Sequence, residues 1–112
     1  MKVAVIGSRD FNDYELVKET LKYYTITLLV SGGAKGADSF GERYANENNI
    51  ETLIFKPDWD KHGKAAGMIR NTDIVNNADT IIAFWDGESK GTKDSITKAE
   101  KKGKNIIIVK TK

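Results

Sequence analysis

The chain has 112 residues, a formal charge of +2, no cysteine and one histidine, His62. That length suits one domain, residues 1–112, with a modest core. The composition excludes disulfides, thiolate nucleophiles and cysteine-built metal sites, and leaves His62, in a polar run, as an ordinary loop residue. The apolar start, residues 3–6, is too short for a signal peptide and no run reaches the ~18 apolar residues of a membrane span, so a soluble, cytoplasmic protein is expected.

Residues 2–6 read as a buried strand ending at Gly7-Ser8-Arg9. Asn12 and Glu15 have capping-box spacing, and Leu16, Val17, Thr20, Leu21 and Tyr24 then recur at helical intervals. A second strand at 27–30 runs into Ser31-Gly32-Gly33-Ala34-Lys35-Gly36-Ala37-Asp38. The helix that follows carries Ala37, Phe40, Gly41, Tyr44 and Ala45 on one stripe and stops near Asn48. Residues 51–55 form a third strand closed by Pro57. The pattern then predicts a helix over 63–77, with Ala65, Met68, Ile69, Thr72 and Val75 inward and Arg70 and Ile74 outward. A fourth strand at 80–85 leads into the loop Asp86-Gly87-Glu88-Ser89-Lys90-Gly91-Thr92. The last helix turns Thr92, Ile96 and Ala99 inward and its lysines outward, stops at Gly103, and precedes a fifth strand at 105–109.

Five apolar strands alternating with helices imply a five-stranded parallel sheet covered on both faces. This is a Rossmann-like three-layer α/β/α sandwich. No internal repeat, low-complexity segment or linker divides it.

In such a sheet ligands bind beyond the carboxyl ends of the strands. Three glycine-bearing polar loops share that edge, after the first, second and fourth strands. Glycine lets backbone N–H groups approach a ligand closely, and a helix start adds unpaired donors and the positive end of a dipole. The spacing matches neither the dinucleotide fingerprint nor the Walker loop. Candidate phosphate or ligand contacts are Gly7, Ser8 and Arg9; Ser31, Gly32, Gly33, Lys35, Gly36 and Asp38; and Asp86, Gly87, Lys90, Gly91 and Thr92. Arg70 adds a planar fork for phosphate, and Asn71 beside it can read an amide or a base edge. Asp38, Asp86 and Glu88 are placed to accept hydrogen bonds from ribose hydroxyls. A mixed-sign pocket of this kind suits a nucleotide better than a bare polyanion. Trp59 and Trp85 are candidate stacking platforms. From Lys90 to the end, eight lysines face two carboxylates, a basic tail that reads as a solvated face. No residue cluster has metal-ligand spacing, so no cofactor is evident, although Mg²⁺ can ride on a ligand's own phosphates.

Val5-Ile6-Gly7-Ser8-Arg9, the run from Ser31 to Asp38, Pro57-Asp58-Trp59, the stretch from Gly63 to Asn71 and Gly91-Thr92 together resemble the SLOG superfamily, most closely its YspA-like group. That resemblance covers nearly the whole chain. It implies a Rossmann-like fold, a nucleotide or nucleotide-derived ligand, and a homo-oligomer, for which Ile74 on the outward helix face is the candidate contact. Two relatives within the superfamily imply other functions. LOG phosphoribohydrolases cleave nucleoside monophosphates with an arginine and a glutamate that follows PGGxGTxxE. Ser95 stands at the glutamate's position here, which leaves Arg70 with Glu88 or Asp94 as catalytic candidates. The DNA-processing DprA proteins share the Ser-Gly-rich loop and the Arg-Asn pair and imply single-stranded DNA as a partner.

Overall fold

The computed structural model describes residues 1–111; Lys112, last of the eight lysines, lies outside them. Five strands, β1 (Lys2–Gly7), β2 (Leu28–Ser31), β3 (Glu51–Ile54), β4 (Thr80–Trp85) and β5 (Asn105–Lys110), alternate with α1 (Tyr14–Leu21), α2 (Ala37–Glu47), α3 (Trp59–His62), α4 (Ala66–Asn76) and α5 (Lys90–Lys101). All strand pairs are parallel, in the order β3-β2-β1-β4-β5. The sheet is therefore wound outward from β1 in both directions, and the winding reverses between β1 and β4.

The two-residue period of a strand sends alternate side chains to opposite faces, and both faces are apolar here. Val3, Val5, Ile82 and Phe84 join Val17 and Leu21 of α1 and Ala37 and Ala45 of α2 in one core. Ala4, Ile6, Ile81 and Ala83 join Ile74 and Val75 of α4 and Ile96 and Ala99 of α5 in the other. The three-layer sandwich follows from that division. Among the described residues, no helix is long and apolar enough to cross a membrane.

Two local expectations are corrected. The cap of α1 is Asp13, whose carboxylate accepts from Leu16 N at 3.1 Å, in place of Asn12. The helix read over 63–77 is broken. α3 ends at Gly63, which has φ +57°, a 3₁₀ turn spans Gly63–Ala65, and α4 begins only at Ala66. The inward face of α4 is rotated accordingly. Ile74 is 1% exposed, whereas Met68 and Ile69 are 56% and 39% exposed. Ala66, Arg70 and Ile74 form an i, i+4 row on the inner side of α4. A buried Ile74 is not the outward candidate contact that was expected, and the homo-oligomer implied by the resemblance rests on the resemblance alone.

Candidate functional site

Where β1 and β4 part at the reversal of winding, a crevice of about 170 Å³ opens beyond their carboxyl ends. Gly7 and Arg9 enter it from β1, Ala34 and Asp38 from the β2 side, Arg70, Asn71 and Ile74 from α4, and Ser89, Gly91, Thr92 and Ser95 from the start of α5. Two helix N-termini thus border one small space. On α2 the cap residue Gly36 offers no side-chain acceptor, and the first intrahelical bond is Phe40 N to Gly36 O. On α5 the Ser89 hydroxyl accepts from Thr92 N at 3.4 Å, and helix geometry leaves Lys90 and Gly91 N–H without an intrahelical acceptor. Helix-start donors and the positive ends of two helix dipoles favour an anion there.

The β2 loop is fixed by contacts within itself. Gly32 N donates to Asp38 Oδ2 at 2.9 Å, and Gly33 N to Ser31 Oγ at 3.2 Å, while Ser31 donates to Glu42 at 2.6 Å. Those N–H groups, read from the sequence as phosphate donors, are taken by the loop's own oxygens. Burial pushes the Asp38 carboxyl up to about 6, against the pull of the Gly32 N–H, of the Arg70 charge and of the Ala34 N–H. Close approach also explains two glycines. A Cβ on Gly7 would lie 2.6 Å from Ala37 Cβ, and one on Gly36, at φ +81°, 2.7 Å from Arg9 O and nearer still to Ser8 O.

Arg70 is held by groups on both sides. Its Nη1 donates to Gly32 O at 2.6 Å and its Nε to Asn71 Oδ1 at 2.9 Å, leaving three of its five N–H bonds for a ligand. Asn71 in turn donates to Gly91 O at 3.3 Å and Asp94 Oδ2 at 3.1 Å. Asp94 is paired with Lys98 at 2.8 Å, and Lys98 also donates to Met68 O at 2.6 Å. Asn71 and Asp94 therefore tie α4 to α5 and orient the guanidinium.

Beside the crevice lies a second compartment of about 430 Å³, with Arg9, Ala34 and Arg70 common to both. Lys56, Pro57 and Trp59 complete its wall with Gly32 and Gly33. A separate hollow of about 430 Å³ lies beyond Ser8, lined by Asp10, Phe11, Asn12, Asp13, Leu16, Asp86, Lys110 and Thr111. There Asp86 accepts from Ser89 N at 2.9 Å and Glu88 N at 2.8 Å, which holds its carboxyl below the ordinary aspartate range. The buried Ser8 hydroxyl adds a weaker pull on Asp86 without reaching hydrogen-bond geometry.

Of the residues read from the sequence, Gly7, Arg9, Asp38, Arg70, Asn71, Gly91 and Thr92 converge on the crevice, and Gly32 and Gly33 on the adjoining compartment. Ser8 and Asp86 face the separate hollow. Ser31 is internal to its loop, and Lys35, Gly36, Gly87, Glu88 and Lys90 line none of the three spaces. Among the catalytic candidates only Arg70 borders the crevice; Asp94 is committed to Asn71 and Lys98. Trp85 is half-buried and donates from Nε1 to Ser89 O at 3.1 Å, so it supports the loop. Ser89 as a lining residue was not foreseen, although a serine three residues before Thr92 is itself a cap signal.

A doubly wound parallel sheet with a crevice at its winding reversal defines a Rossmann-like α/β architecture. The sequence pattern of the YspA, cpYpsA-related SLOG family matches residues 1–62. Along its length the chain is also similar to the Gene 61 protein of Mycobacterium phage D29, at 34% identity over 118 aligned positions covering 95% of this chain and 94% of that relative. The chain belongs to the YspA, cpYpsA-related SLOG family.

Proposed function

We propose that the chain is a binding domain that senses or sequesters a small phosphate-bearing nucleotide or nucleotide-derived molecule. One observation carries this reading: the N-termini of α2 and α5 and the side chains of Arg9 and Arg70 border a single crevice at the winding reversal. A phosphate there receives charge-assisted donors from Arg70 and backbone donors from the helix starts, each charged hydrogen bond contributing about 1.5–3 kcal/mol. The glycine loop serves as a preformed wall, because Asp38 already holds it in shape before any ligand arrives. Preforming the wall lowers the ordering cost of binding. Any Mg²⁺ in the complex arrives on the ligand's phosphates.

Native mass spectrometry of freshly purified protein, with release and identification of the bound molecule, tests the reading. A stoichiometric nucleotide-derived mass supports it. Recovery of free base with ribose phosphate puts hydrolysis ahead of holding. Empty protein that also shows no saturable binding across a mononucleotide panel contradicts it.

A further inference from the structure

Resting on the nucleotide reading, we propose that the outer compartment receives the ligand's aromatic base, stacked on Trp59, while the phosphate end lies in the crevice. Size is the first argument. Sites for small organic ligands measure about 300–1,000 Å³, so a crevice of about 170 Å³ holds only part of such a molecule. Its neighbour, at about 430 Å³, supplies the missing room.

Continuity is the second argument. Arg9, Ala34 and Arg70 border both spaces, so one molecule can run past the two guanidiniums from one into the other. The acidic hollow beyond Ser8 shares no residue with either compartment.

Chemistry is the third. Trp59 is 58% exposed, an apolar surface that a soluble protein gains by covering. Its backbone is fixed: the Asp58 carboxylate accepts from Lys61 N at 3.1 Å, and Gly63 N donates back to Trp59 O. The indole runs beside α4 at Gly67, where a Cβ would sit 3.6 Å from ring atom Cη2. Among the described residues no carboxylate lines this compartment, and Lys56 joins the two arginines on its wall. A base on this indole therefore has a platform on one side and cations along its rim, a combination that takes any base by its π face.

The proposal separates ligands that carry a base from ones that do not. The test is isothermal titration of wild type, Trp59→Ala and Trp59→Phe with ribose 5-phosphate and with the monophosphates of adenosine, guanosine, cytidine and uridine. Wild type should bind the nucleotides more tightly than ribose 5-phosphate, purines ahead of pyrimidines. Trp59→Ala should weaken the preferred nucleotide about 5- to 100-fold and leave ribose 5-phosphate within about twofold, and Trp59→Phe should recover most of the loss. Equal losses for both kinds of ligand, or none for the nucleotide, would overturn the base assignment while leaving the phosphate site standing. Wild type that binds neither kind would overturn the nucleotide reading and this inference with it.

Discussion

The loops after β2 and β4 are each folded around an aspartate that accepts backbone N–H groups, yet the two aspartates respond in opposite directions. Asp38 is nearly sealed from water, and burial drives its carboxyl up to about 6 in spite of its donors. Asp86 is far more open, and the Ser89 and Glu88 donors win, holding it below the ordinary range. Desolvation decides the first case and hydrogen bonding the second. Sterics divide the loops the same way. Gly36 has backbone oxygens against the position of its missing Cβ, whereas Gly87 and Gly91 have nothing within 4 Å. The β2 side of the crevice is sterically filled at Gly36, while the β4 loop, itself held by hydrogen bonds, is open at Gly87 and Gly91.

The largest effect expected from this contrast is at Gly36. A side chain there meets Ser8 O and Arg9 O at a backbone conformation that L residues rarely adopt. Gly36→Ala should therefore cost about 4 kcal/mol in urea unfolding; a loss under about 1 kcal/mol would mean that the wall is not fixed. Next comes the pH dependence of Asp38, whose folded value lies above its unfolded one. Its contribution is full below about pH 3.8 and falls, on the order of 3 kcal/mol, as pH rises to about 6. Unfolding midpoints across that window should flatten in Asp38→Asn relative to wild type. An unchanged slope would contradict the assignment of that pH dependence to Asp38.

Asp86→Ala gives a smaller loss with the opposite pH sign. Its carboxyl stabilises the fold when ionised, so the difference from wild type should be present at neutral pH and shrink as acid protonates Asp86. A difference that grows in acid would contradict the donor account. The smallest effect belongs to Gly91→Ala, in open space near the start of α5. Stability should stay within about 0.5 kcal/mol of wild type in thermal or urea unfolding.

The sheet was legible because parallel strands covered on both faces must be apolar throughout, as Val3-Ala4-Val5-Ile6 and Ile81-Ile82-Ala83-Phe84 are. The convergence of the loops on one edge followed from that topology. α4 was misphased for a physical reason. Its inward side carries Arg70 and Asn71, which bond to Gly32 O, Gly91 O and Asp94, while Met68 and Ile69 face water. Counting apolar residues cannot register a face whose contacts are polar. Gly63 at positive φ also broke the pattern that a continuous helix would have needed. The occupied donors of Gly32 and Gly33 were invisible for a similar reason. A glycine loop around a bound anion and one around its own aspartate read alike in sequence.

The central claim is that a nucleotide phosphate sits against Arg70 in the crevice. Calorimetric titration of wild type and Arg70→Ala with the mononucleotide that wild type prefers tests it most directly, with Arg70→Lys as the control that keeps the charge. The account predicts saturable binding by wild type and a loss of about 10- to 100-fold in Arg70→Ala, partly recovered by lysine. Equal affinity in wild type and a folded Arg70→Ala would contradict it.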